Sequence, residues 1–203
     1  HAAPTRSRWV FPRAHRPRRR LLCATPFRWH DARMTGRRAH LLALATGLVT
    51  SAVVYAVGLA PAEAVLTARG HGIVAFELAR IAANVDAMVA DWGAEGVSAA
   101  RASLLWDLAF IPGYVLVLWG AARLLDTAPA RRAATWAPVA GVLDLVEDLA
   151  LFRALDHPDD RAWAAPLAWV SAVLKFALLA GALVALFVGL VNRRRGRRSG
   201  TGR

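Results

Sequence analysis

Residues 41–60 run for 20 positions without a charged side chain, and that block limits the fold more than any motif does. At about 1.5 Å per residue it makes a helix about 30 Å long, the thickness of a bilayer's hydrocarbon core. Three further apolar blocks follow at residues 104–125, 133–155 and 164–191. Each reaches or exceeds the length of about 18 residues at which an apolar run spans a membrane. With 57% hydrophobic residues in a chain of 203, and 26 basic against 14 acidic residues, the charges must gather between the blocks. The expected fold is therefore all-α, a four-helix transmembrane bundle with helices over residues 41–60, 104–125, 133–155 and 164–191.

A secretory signal also opens on a basic stretch, here Arg37-Arg38, and ends in small residues, here Ala60-Pro61-Ala62 or Ala62-Glu63-Ala64. The first block is longer than the signal core of about 7 to 15 residues, so it is read as a retained helix. Either outcome puts the next connection outside. Charge then orients the rest. Residues 1–40, 123–132 and 192–203 together hold 20 Arg and two acids, whereas residues 61–103 and 153–163 hold five Arg and eight acids. Basic segments stay on the cytoplasmic side, so both termini are expected in the cytoplasm and residues 62–103 outside. Residues 1–40 form a basic segment expected to be disordered, and residues 192–203 a basic tail. Residues 1–33 precede the first methionine, Met34, and are read either as the cut end of a longer sequence or as translated upstream of the true start. Twenty-five of the 26 basic residues are Arg and the remaining one is Lys175; with the abundance of alanine, this indicates GC-rich coding and a bacterial source, hence the inner membrane.

The arginine runs at residues 16–20 and 193–198 are the kind that bind nucleic acid, but no folded module or aromatic platform accompanies them. They are expected to bind anionic lipid at the cytoplasmic face, where each Arg contributes about 1 kcal/mol, and no nucleic acid. One cysteine, Cys23, leaves no disulfide and no thiolate metal site. His71 and His157 both fall outside the membrane but lie far apart in sequence, so no metal and no cofactor is expected.

The outer connection over residues 62–103 is too long for a bare loop. Val74, Leu78, Ile81, Val85, Met88 or Val89, and Trp92 recur at steps of three and four, the stripe of an amphipathic helix that Gly93 is placed to end. Packing against its own bundle, a partner protein and a lipid surface are the three destinations for that stripe. In the second block Pro112 predicts a kink, whereas Pro138 and Pro166 are expected in first turns. Ala177, Gly181, Ala185 and Gly189 form a small-residue stripe on the last helix.

Five charges sit inside the apolar blocks: Asp107, Asp144, Glu147, Asp148 and Lys175. Each costs about 2.5 to 3.5 kcal/mol near a helix centre, so each needs a partner. Asp144, Glu147 and Asp148 have spacing i, i+3, i+4 and share one helix face. Lys175 and Asp144 fall at matching depth from the outer surface, while Asp107 is expected near that surface and its water. Four acids against one base cannot all stay charged in a dry seam, so part of this polar network must be protonated or hydrated. The network is the candidate site, with no catalytic, cofactor-binding or metal-binding residue assigned.

Several phrases together carry a resemblance. They are Gly72-Ile73-Val74-Ala75-Phe76-Glu77-Leu78-Ala79, Trp92-Gly93, Ala100-Arg101-Ala102-Ser103-Leu104, and Asp107-Leu108-Ala109-Phe110-Ile111-Pro112-Gly113-Tyr114. Leu143-Asp144, Glu147 and Lys175-Phe176-Ala177 follow. From about residue 72 to 189 the chain resembles a group of small bacterial four-helix integral membrane proteins to which no activity is assigned. The chain departs from that group at Glu147-Asp148, where the group's pattern reads Glu-Asn. The resemblance implies four helices in a bacterial membrane and lends no reaction. Three classes of function stay open: a structural or accessory membrane protein, alone, as a homo-oligomer or with a membrane partner; a small oligomeric transporter or proton or cation path; and an enzyme on lipid-like substrates at the outer leaflet, with Asp107, Glu147 or Asp148 as acid or base.

Overall fold

The computed structural model of the chain describes residues 29–199, with side chains placed over residues 36–195; the expectations for residues 1–28 and 200–203 lie outside it. Among the described residues all regular structure is helical: α1 (Trp29–Val54), α2 (Ala60–Thr67), α3 (Ile73–Glu77), α4 (Ala82–Leu125), α5 (Ala128–Asp156) and α6 (Arg161–Ser199). A π-helical segment, Tyr55–Leu59, joins α1 to α2, and a 3-10 turn, Pro158–Asp160, leads into α6. Three stretches, Gly36–Thr67, Ala82–Leu125 and Pro158–Arg195, are long and apolar enough to cross a membrane. Leu48, Val49, Val53, Leu183, Val184 and Phe187 on these stretches are each more than half exposed. Such faces aggregate in water and are at ease in lipid, as expected of a membrane-embedded helical bundle.

Helix α5 is 29 residues long but carries Asp144, Glu147 and Asp148 near its middle, which lowers its apolarity. It packs between α4 and α6, while α1 packs on α4. Its buried face is mostly alanine, including Ala130, Ala133, Ala137 and Ala140, and meets Ala182 and Ala185 of α6. Small side chains let backbones approach, and dispersion contacts then hold the helices where lipid removes the hydrophobic drive. Between α1 and α4 the same device is glycine: a Cβ added at Gly47 would lie 2.6 Å from the Gly113 carbonyl oxygen. On α6 the small-residue stripe is split. Ala177 is exposed, whereas Gly189 faces the Thr127 hydroxyl and Gly181 the Trp136 ring, both on the α5 side.

Local chemistry sets the helix ends. Asp126 closes α4 in the left-handed region at φ 47°, and Thr127 then caps α5, its hydroxyl accepting the Ala130 N–H at 3.4 Å, with Pro129 in the first turn. The segment over residues 1–40, expected to be disordered, is helical from Trp29 onward, and the tail expected at residues 192–203 continues α6 to Ser199. Alanine and arginine are strong helix formers, and arginines at the end of α6 complement its dipole, so the limits of the apolar blocks are not helix ends. For the same reason Pro138 and Pro166, expected in first turns, lie deeper inside α5 and α6. Pro112 lies within α4, and the one residue of α4 with non-helical φ/ψ is Gly93, at φ 59° and ψ −168°, where the chain kinks. Proline's φ of about −65° suits a helix, whereas Gly93 occupies a region open almost only to glycine.

The outer connection is not one continuous helix. Helix α3 ends at Glu77, Arg80 has φ 57°, and α4 begins at Ala82. Asn84 Nδ2 donates to the Ala79 carbonyl at 2.8 Å, and the Arg80 guanidinium lies 5.1 Å from the Trp169 ring, fixing this break. Of the apolar stripe, Val85 and Trp92 are fully buried while Val74, Leu78 and Ile81 are exposed. Trp92 is the anchor: its Nε1 donates to the His71 carbonyl at 2.8 Å, and its ring meets Phe76 edge-on at 5.2 Å. Glu63 accepts the Ile73 N–H at 2.8 Å, tying α2 to the start of α3. Arg161, buried, donates to the Ala154 carbonyl at 2.8 Å and also pairs with Asp86 of α4.

Candidate functional site

Helix α6 brings Lys175 to the middle of the bundle with only 4% of its surface exposed, and three carboxylates meet its ammonium. Asp144 Oδ1 accepts from Lys175 Nζ at 2.6 Å, and Glu147 Oε2 lies 2.8 Å and Glu77 Oε2 3.5 Å from the same nitrogen. The i, i+3 spacing on α5 aims Asp144 and Glu147 at one neighbour, and their depth matches that of Lys175. The Tyr114 hydroxyl donates to Asp144 Oδ2 at 2.9 Å. Tyr114 is seven residues beyond Asp107, on the same face of α4.

Behind this first set, Asp107, Asp144 and Asp148 each bring a carboxylate oxygen to within 4.8 Å of the others. Asp107 is therefore not at the outer end of its helix. Helix α4 extends back past residue 104 to its break at Gly93, so Asp107 lies about 21 Å along it from that break at about 1.5 Å per residue. At an effective dielectric of about 20, two like charges near 5 Å repel by about 3 kcal/mol, and three of them by about 10. Lys175 touches Asp144 and offsets only part of that. Protonation of part of the trio relieves that repulsion, and the spacing would also let one small cation touch all three oxygens.

Hydrogen bonding leaves the same gap. Glu147 is wholly buried with Oε2 paired to the Lys175 ammonium, but its Oε1 and Asp148 Oδ2 are buried without a hydrogen-bond partner. Orphaned buried acceptors of this kind are costly in a seam that only holds helices together. The site is also not sealed. A cleft of about 430 Å³ lies between α1 and α6, with Glu77, Asp107, Tyr114, Asp144 and Lys175 on its floor. Its walls are apolar, among them Leu48, Phe110, Leu118, Phe176 and Leu183. A second pocket of about 260 Å³, lined by Tyr55, Glu63 and Ser103, shares Val74, Glu77 and Asp107 with the cleft. The π-helical segment carrying Tyr55 thus borders this second pocket, a place where such bulges often serve function.

All five charges singled out in the sequence fall in or beside this cluster. Glu77 and Tyr114 are additions. Helical periodicity puts Glu77 on the polar face of an outer helix; its clue is an isolated acid within the otherwise uncharged run of residues 70–79. His71 and His157 do not join the cluster: His71 pairs with Asp91 at 3.2 Å, and His157 follows the end of α5.

Comparison of the chain with models of protein families, with curated proteins and with solved structures finds no match.

Proposed function

We propose that this chain is a four-helix integral membrane protein of a bacterial inner membrane whose carboxylate–lysine cluster binds protons and exchanges them for another cation. Helix α5 is the fourth span, its charged face turned onto α4 and α6. Both termini are cytoplasmic, residues 62–103 lie outside, and the part of α4 before Gly93 is an amphipathic helix packed on the outer end of the bundle. The arginine asymmetry supports that orientation, and the resemblance to small four-helix bacterial membrane proteins agrees with it.

One observation carries the functional reading. The acids outnumber the single lysine, Glu147 Oε1 and Asp148 Oδ2 are buried without partners, and Glu77, Asp107 and Asp144 beside them line an open cleft. A structural seam favours satisfied pairs, whereas an ion path needs unmet acceptors that a mobile cation can visit. The second reading, a structural or accessory protein, draws on Lys175, whose ammonium joins α3, α5 and α6. The two separate in liposomes containing the purified protein. The path reading expects an imposed pH gradient to decay faster than in empty liposomes, and the gain to vanish in Asp107→Asn and in Asp144→Asn. Decay no faster than in empty liposomes, from correctly folded protein, leaves the structural reading.

A further inference from the structure

At the opposite end of the bundle from the outer connection, a second cavity of about 400 Å³ is lined by Gly36, Arg37, His40, Arg123, Leu124 and Arg193. Its arginines come from three helices far apart in sequence: α1, α4 and α6. Each lies beside the end of a long apolar run: Arg37 shortly before residues 41–60, Arg123 near the end of residues 104–125 and Arg193 just after residues 164–191. All three therefore sit at the depth of lipid headgroups. None is paired with a carboxylate among the described residues, and no acid lines the cavity. His40 adds a buried Nδ1 without a hydrogen-bond partner. The ring of Trp119, edge-on to His40 at 5.2 Å and 5.4 Å from the Arg123 guanidinium, holds these two side chains side by side.

We infer that this cavity is a binding site for the phosphate headgroup of an anionic membrane lipid. Convergent guanidinium groups with no resident anion are chemically complementary to phosphate, which accepts several charge-assisted hydrogen bonds at once. Basic pockets between helices at the cytoplasmic surface suit such headgroups, and the apolar flanks of α1, α4 and α6 leave room for acyl chains beside them. This site is separate from the acidic cluster and does not depend on its role. It is also more specific than a general attraction of basic tails to the membrane: Arg131 and Arg132, at the same end of the bundle, are exposed and lie outside the cavity.

The test reconstitutes the full chain into vesicles of phosphatidylcholine with a minor fraction of phosphatidylglycerol, then extracts it in mild detergent and counts retained lipid by native mass spectrometry. The wild type should retain phosphatidylglycerol in preference to phosphatidylcholine. Arg37→Gln with Arg123→Gln should lower that retention at least ten-fold, from a loss of about five-fold per arginine. Arg193 is left in place because it donates to the Leu124 carbonyl at 2.8 Å and so supports the end of α4. Arg131→Gln with Arg132→Gln removes the same charge from the same end and should leave retention unchanged. If the control pair lowers retention as much as the cavity pair, the effect is diffuse charge and the site is refuted. Displacement of the lipid by millimolar inorganic phosphate equally overturns it, making the occupant a free anion. Should the cavity pair misfold by helical circular dichroism, Arg37→Gln alone is measured, with a loss of about five-fold expected and no change refuting the site.

Discussion

Replacing Lys175 by Met removes the only cation from a cluster in which Asp144, Glu147 and Glu77 stand 2.6, 2.8 and 3.5 Å from its nitrogen. Methionine fills similar volume, so the change is mainly one of charge. Removing one member of a buried ion pair costs about 3–5 kcal/mol, because the partner is left charged and desolvated. Here three partners are stranded together, which puts the loss at the upper end of that range. Against a total stability of about 5–15 kcal/mol, Lys175→Met should unfold a large fraction of the protein in mild detergent. Adding Glu147→Gln removes one stranded charge and should return about 1–2 kcal/mol, although Glu147→Gln alone destabilises. Thermal or denaturant unfolding followed by helical circular dichroism reads both numbers. A loss below about 1 kcal/mol in Lys175→Met would match an exposed pair and refute the buried network. Strict additivity in the double mutant would show that Lys175 and Glu147 do not interact.

In a Cys23→Ser background, a cysteine at Glu95 should react with a membrane-impermeant maleimide in intact cells and one at Gly200 should not; the opposite pattern reverses the topology. Gly93→Ala forces a side chain into φ 59° and ψ −168° and should cost about 1–3 kcal/mol, seen as a lower Tm. Pro112→Ala, in a continuous helix, should not lower Tm. At the turn between α5 and α6 the Trp163 indole N–H and Arg153 hold the Asp160 carboxyl below its usual range. A depressed carboxyl adds stability above its unfolded-state value, and that contribution is lost as pH falls through the folded one. Trp163→Phe should therefore move the Asp160 titration upward, as followed by carboxyl infrared bands; an unmoved band refutes the pairing.

Hydropathy made the helical architecture and its long apolar stretches readable in advance, because it depends on local composition. The long apolar stretches, the depth match between Asp144 and Lys175, and the shared face of Asp144, Glu147 and Asp148 follow from helix geometry alone. What failed depends on backbone detail or on contacts distant in sequence. Gly93 was readable as a helix end, but not that the chain resumes helically after it and so carries Asp107 deep into the bundle. The alanines of α5 read as generic apolar residues, yet they decide how closely α5 and α6 approach. The arginine cavity is likewise hidden, since Arg37, Arg123 and Arg193 converge only when three helix ends come together.

Glu77 shows most clearly how a local pattern misleads. A period near 3.6 extended through residues 74–92 assigns Glu77 to the watery side of one helix. The break at Leu78–Ala79–Arg80 cancels that phase, and Glu77 turns inward to Lys175 instead. The cluster's arithmetic gives the break its purpose. A lysine ammonium has three donors, and the three carboxylates around Lys175 come from α3 and α5, so α3 supplies what α5 alone does not. The choice of lysine is informative in a chain whose other 25 basic residues are all arginine. Guanidinium offers five donors in a rigid planar fork, whereas an ammonium is a compact charge with three rotatable donors. A planar fork directs its donors into one plane, whereas the three donors of an ammonium point apart toward Asp144, Glu147 and Glu77, which approach Lys175 from two helices.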